Sequence, residues 1–222
     1  MGAHYIMTTN NSSDVAAKLA QISSEQSSLL TSLGLTLSTG TQSSSVWSLK
    51  RAGDENAFEV YGDSGGGMRT LNESGVAFGS QRGSCFIQHF LFTEKSIMIA
   101  AQSSGSPPTG ISAISKNDDG KVIVFAISQP ASSPYNDKIF VKDKNYGSNI
   151  DFIPYFYGTY YVNAYNYNQI ALANIPMQGI GEVCNNAFIA LCKQSVIEND
   201  LAMIGGVEYA VASTSYTTYA CR

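Results

Sequence analysis

Charge is scarce in this chain: Asp, Glu, Lys and Arg supply 14% of its 222 residues, against roughly 25% in an average soluble domain. The balance is −4, with a pI near 5.1, and no run of Lys or Arg forms a basic patch. A nucleic-acid partner is therefore not expected, because gripping a phosphate backbone needs such a footprint. Histidine is scarcer still, with two residues, and cysteine supplies four. Cys85, Cys184, Cys192 and Cys221 contain no Cys-x-x-Cys pair, and only His4 and His89 could supplement them. That spacing excludes a zinc site of four ligands closing short chelate loops, so neither a metal nor any other cofactor is expected. Each cysteine stands among apolar or aromatic neighbours and reads as a small buried hydrophobe of a reduced compartment.

Long apolar runs are missing too. The most apolar stretch, residues 86–101, is interrupted by Gln88, His89, Thr93, Glu94 and Lys95, so no membrane insertion is expected. Residues 1–7 lack a basic start followed by an apolar run, which argues against a signal peptide. The opening Met-Gly has Ile6 where a lipidation signal places Ser or Thr.

What the chain has in quantity is hydrophobic residues, 44%, together with Ser, Thr, Asn, Gly and Tyr. That is ample for one large all-β domain or two small ones. Residues 1–12 read as a flexible tail ending in helix-capping types, with Ser12, Ser13 or Asp14 as the cap. Val15, Leu19, Ile22, Leu29 and Leu33 then recur at helical spacing, and Gly34 offers a left-handed stop. The pattern predicts an amphipathic helix over 13–34. As heptads, Leu19, Gln26 and Leu33 take position a, while Val15, Ile22 and Leu29 take d, a choice that leans toward three or more strands. The competing reading packs the same stripe on the chain's own body. The Ser/Thr/Gly stretch over 35–45 reads as a linker holding the helix away, which favours self-association.

From residue 46 to 222 the pattern changes to short β-branched and aromatic runs separated by turn residues. It predicts a mainly β domain, an antiparallel sandwich or barrel-like body behind the helix. Strands are expected at residues 57–61, 84–92, 96–101, 111–115, 121–128, 138–141, 155–161, 170–173 and 207–212, and a helix at 187–196. Asn117-Asp118-Asp119-Gly120, Gly205-Gly206 and Thr93-Glu94-Lys95 are read as hairpin turns.

Several letter strings resemble catalytic motifs. Gly62-Asp63-Ser64-Gly65-Gly66 matches the surroundings of the chymotrypsin-like nucleophile over five residues. That mechanism needs an upstream His and Asp, and only His4 precedes it; a Gly-rich turn explains the same letters. Cys85 and His89 fall in one predicted strand, about 13 Å apart at 3.3 Å per residue, too far for a thiolate–imidazole pair. His89 reads instead as a core histidine with one hydrogen-bonded nitrogen. Asp118, Asp119, Glu73, Glu182, Glu198 and Asp200 sit in no apolar context that suits paired acid–base chemistry. No catalytic residue is assigned. Tyrosines cluster over 154–168, and Tyr155, Tyr157, Tyr160, Tyr161, Tyr165 and Tyr167 alternate there with Gly, Asn and Thr. Such rings suit a glycan or subunit contact; tyrosines alternating between core and solvent in a strand pair are the plainer alternative.

The order of parts, with a short helix, a Ser/Gly linker and a Tyr/Asn/Gly-rich β-domain, resembles the structural proteins of tailed bacteriophages. The closing stretch Leu201-Ala202-Met203-Ile204-Gly205-Gly206-Val207-Glu208-Tyr209 is similar in style to hairpin endings of such proteins. The resemblance implies a head, neck or tail-fibre component of the virion, made in the host cytoplasm. It also implies a homo-oligomer, a trimer or higher, docked to other virion proteins and able to contact a host glycan. It carries over no catalytic residue. A monomeric carbohydrate-binding module and, as a third reading, a hydrolase built on Ser64 or Cys85 are the alternatives.

Overall fold

The computed structural model describes residues 2–53, 57–72, 74–75, 77–81, 83–106, 108–128, 138–142, 151–152, 171–174, 187–191, 199–214 and 218–222. It begins with a strand. In β1 (Ala3–Thr8) Tyr5 and Met7 point into the core while Ile6 between them is exposed, the period-two alternation of a half-buried strand. The expected flexible tail over 1–12 is thus corrected: β1 pairs antiparallel with β7 (Ile87–Phe92) from Ala3↔Phe92 to Thr8↔Ile87.

Asn11 caps the first helix. Its side chain accepts the amides of Ser13 and Asp14, each at 3.2 Å, one residue before the expected cap. The helix is not continuous over 13–34. It divides at Gln26 into α1 (Ser12–Glu25) and α2 (Ser27–Ser32), and the Gln26 amide donates to Tyr5 Oη at 2.8 Å. The polar residue that interrupts the heptad stripe is therefore a tie to β1. The region stops at Gly34, in the left-handed conformation at φ 66°, and the Arg51 guanidinium donates to the Leu33 carbonyl.

The linker expected over 35–45 is also corrected. Leu35–Ser38 forms β2, paired with β3 (Ser45–Arg51). Between them Thr41 Oγ1 and Gln42 Nε2 donate to the carboxylate of Glu59, at 2.6 and 3.0 Å. No free spacer separates the helices from the body.

Strands β2, β3, β4 (Phe58–Asp63), β5 (Met68–Asn72) and β6 (Ala77–Gln81) form one sheet in sequence order. The central sheet runs β1-β7-β8-β9-β10-β11-β12, with β8 (Ser96–Gln102), β9 (Gly110–Lys116), β10 (Val122–Ser128), β11 (Lys138–Lys142) and β12 (Asp151–Phe152). The third sheet is ordered β13-β14-β17-β16-β15, from β13 (Ala171–Asn174), β14 (Ala187–Leu191), β15 (Asp200–Ile204), β16 (Val207–Ser213) and β17 (Thr218–Cys221). All the pairs among the described strands are antiparallel, and these sheets stay open, stacked as layers rather than closed as a barrel. The helix expected at 187–196 is a correction: Ala187–Leu191 is strand, hydrogen-bonded to β13 and β17. Its Phe-Ile pair suits a sheet as readily as a helix, and the neighbouring strands decide.

Strands β7 to β10 of the central sheet are buried on both faces. Phe90, Phe92, Ile97, Ile99, Val122 and Val124 meet Trp47, Leu49, Val60 and the helices on one side. Leu91, Met98, Ala100, Ile123 and Phe125 meet Ala210, Ala212 and Tyr219 on the other. A strand covered on both faces needs apolar residues at successive positions, which explains the dense run over 86–101.

The three expected hairpins form. Thr93 N donates to Ser96 O, Asn117 N to Lys121 O and Gly120 N to Asn117 O. Gly205 and Gly206, at φ 59° and 82°, make the two-residue link between β15 and β16; positive φ at both positions is the primed turn that matches strand twist.

Candidate functional site

The heptad residues come together, but inside the chain. Val15, Leu19, Ile22, Leu29 and Leu33 are all buried in the same cluster as Tyr5, Met7, Trp47 and Leu49. Their role as a self-association stripe is thereby corrected. Burying five such side chains contributes about 7–15 kcal/mol, comparable to a whole domain's net stability. The stripe has no free face left to offer a partner.

Gly62-Asp63-Ser64-Gly65-Gly66 is the β4–β5 turn. Asp63 N donates to Gly67 O at 2.9 Å, and Gly67 N donates back to Asp63 Oδ1 at 2.8 Å. Ser64 is exposed on this turn, while His89 is engaged with His4. Cys85 and His89 lie on different sides of the central sheet. The buried Cys85 Sγ takes Gln81 Nε2 and Thr109 Oγ1 at 3.4 Å each. The six candidate tyrosines, Tyr155, Tyr157, Tyr160, Tyr161, Tyr165 and Tyr167, and the strand expected at 155–161 lie outside the described residues, as do Glu73, Cys184 and Cys192.

Among the described residues no three His, Cys, Asp or Glu side chains form a metal-binding group, and no helix is long and apolar enough to cross a membrane. A small cavity of about 10 Å³ lies between β5, β6, β9 and β10, lined by Met68, Gln81, Ile111, Ser112 and Ile127 among others. That is room for one water.

Two features stand out at the surface. The first is the β15–β16 hairpin. Met203 is 56% exposed and Val207 39%, on either side of the Gly205-Gly206 turn. β15 ends its sheet, with β16 as its only neighbour among the described strands. The other large exposed apolar residues among those described are Ile6, on β1, and Phe86, just before β7.

The second is a polar cluster where β1 meets β15. His4 Nε2 and His89 Nδ1 lie 2.9 Å apart, and the rings are tilted by 32°. His4 Nδ1 faces Asp200 Oδ1 at 3.5 Å. Gln102 hydrogen-bonds His89 and accepts Asn199 Nδ2 at 2.8 Å. Nearby, Gly2 N donates to Glu208 Oε2 at 2.6 Å. Burial, and then the neighbouring His4, lower the His89 pKa to about 4, against the opposing pull of Gln102 and Asp200. Burial also lowers that of His4, with Asp200 opposing. Sequence reasoning placed His89 in the core with a bonded nitrogen and missed its partner, because His4 fell in the supposed tail.

Comparison with known proteins finds no matching family model, no similar curated protein and no similar solved structure.

Proposed function

We infer that this protein is a structural building block of a virion of the tailed-bacteriophage kind, assembling with copies of itself through its sheet edges rather than through its helices. The observation that carries this reading is the β15–β16 hairpin: β15 stands at the edge of its sheet among the described strands, with its Met203, and Val207 at the start of β16, in solvent. Monomeric proteins protect such edges with charge or proline; β15 carries a charge at Asp200, its first residue, and its Leu201–Ile204 portion has neither. A second copy pairing along β15 in antiparallel fashion would satisfy both edges at once, since a two-fold contact is self-complementary.

The weakly charged, Ser/Thr/Asn/Tyr-rich composition supports a protein held in contact with neighbours. The likeness of the Leu201–Tyr209 hairpin to phage virion proteins gives the setting. Docking to other virion proteins and contact with a host glycan belong to the same proposal. The test is the absolute mass in solution, by light scattering, of the wild type and of the Met203→Ser/Val207→Thr double variant. A wild-type oligomer that becomes a folded monomer in the variant is the expected result. A wild type that stays monomeric at high concentration, or a variant that assembles equally well, overturns it.

A further inference from the structure

The His4–His89 pair holds together parts that the strand ladders leave separate. β1 belongs to the central sheet and β15 to the C-terminal sheet, so no backbone ladder joins them. What bridges them at this end is side-chain chemistry: His89 to His4, His4 to Asp200, and Gln102 to Asn199. The Gly2 amide on Glu208 adds a tie to β16.

Proton count decides the state of this bridge. With both rings neutral, one ring N–H donates to the lone pair of the other, and the 2.9 Å separation is an ordinary hydrogen bond. One added proton leaves that bond intact and places positive charge beside Asp200. A second proton gives N–H facing N–H, two like charges at hydrogen-bond distance with no acceptor between them. The pair must then part. The ionisable groups facing it are Asp200 from β15 and, one strand further, Glu208 from β16; Gln102 from β8 and Asn199 beside β15 are neutral and act only as hydrogen-bond partners.

The two sides of the seam are not equally anchored. β1 carries Tyr5 and Met7 into the helix-side core and pairs along its whole length with β7. β15 is held by β16 alone among the described strands. We propose that His4, His89 and Asp200 form an acid-released latch that holds β15 against β1, so that protonating both rings loosens β15 at this seam while β16 stays packed through Ala210 and Ala212 and the two cores stay closed. The lowered His89 pKa agrees in sign. A histidine depressed in the folded protein takes up its proton preferentially when released, so the latch is strongest above pH about 6.5 and weakens as pH falls toward 4. This inference rests on the geometry of the seam and holds whether or not the hairpin is an assembly contact.

The experiment is amide hydrogen exchange at pH 7 and 4.5 on the full chain under monomeric conditions, corrected for the intrinsic pH dependence of exchange. In the wild type, β15 amides should lose about tenfold in protection, less than the full depression allows because the pair is partly solvent-exposed. Amides of β9 and β10 should not change. His89→Gln keeps a hydrogen-bonding partner for His4 and should lose the pH response. Should that variant fold poorly, the wild-type ring protons decide by NMR: a coupled pair with one step far below 6.5 is expected. Equal acid response in wild type and His89→Gln, parallel loss across β9 and β10, or two rings titrating independently near 6.5 each overturn the latch.

Discussion

The indole of Trp47 occupies the space into which a side chain at Gly62 would grow. The Trp47 Nε1–H donates to Gln88 Oε1, and Gln88 in turn reaches the Gly66 carbonyl. Gly62 is therefore explained by packing: Trp47 is fully buried, edge-on against Phe90 at 5.0 Å.

Gly62→Ala should cost about 1–3 kcal/mol, the range for overpacking a filled core. Ser64→Ala, on the exposed turn, should stay within about 0.5 kcal/mol of wild type. Urea denaturation followed by Trp47 fluorescence measures both. A severe effect at Ser64 with a silent Gly62 would return the string to a functional reading.

Ile22→Ala should lower stability by about 2–5 kcal/mol, since Ile22 is fully buried among core residues. The heptad reading instead expects a folded body that merely falls apart into monomers. Chemical denaturation and light scattering on the same sample distinguish the two: a stable monomer would restore the helix as an assembly element.

The β-rich body and its three hairpins were legible because turn chemistry is local: Asn117–Gly120 and Gly205-Gly206 specify their links within four residues. The fate of the helix stripe was not. Val15, Leu19 and Ile22 look the same whether they face a second helix or the chain's own sheet, and only Tyr5, Met7 and Trp47, distant in sequence, decide it. β1 was missed for a related reason. Its alternation covers only Tyr5 and Met7, and its strand character comes from pairing with residues 87–92. The His4–His89 pair depended on that same unseen pairing, 85 residues apart.

Glu59 should govern part of the acid sensitivity. Burial would raise its pKa, but hydrogen bonds from Ser48, Thr41 and Gln42, with Lys50 nearby, outweigh that and leave it lowered. A carboxylate depressed in the native state contributes stability above its unfolded value, lost as pH falls below about 4.5. Glu59→Gln should therefore flatten the stability–pH curve below that point. At pH 7 it should cost about 1–3 kcal/mol, because the new amide turns a donor toward Gln42. Denaturation midpoints from pH 7 to 3 test both, and parallel curves for variant and wild type would remove Glu59 from the account.

The Gly205-Gly206 turn separates the fold of the hairpin from its use as a contact. Both residues hold positive φ with open space around the Cα, and no neighbour blocks a side chain. Backbone conformation alone should then set the cost of substitution. Ala at either position should cost about 1–2 kcal/mol, the penalty of the left-handed region. Gly205→Asn should be nearly neutral, since Asn tolerates that region and Asn-Gly is a preferred primed turn. Because Asn changes neither Met203 nor Val207, assembly should survive Gly205→Asn undiminished and fail in the Met203→Ser/Val207→Thr variant at equal stability. Thermal denaturation paired with light scattering reads both quantities. Assembly that tracks hairpin stability across the glycine variants, indifferent to Met203 and Val207, would overturn these side chains as the assembly contact.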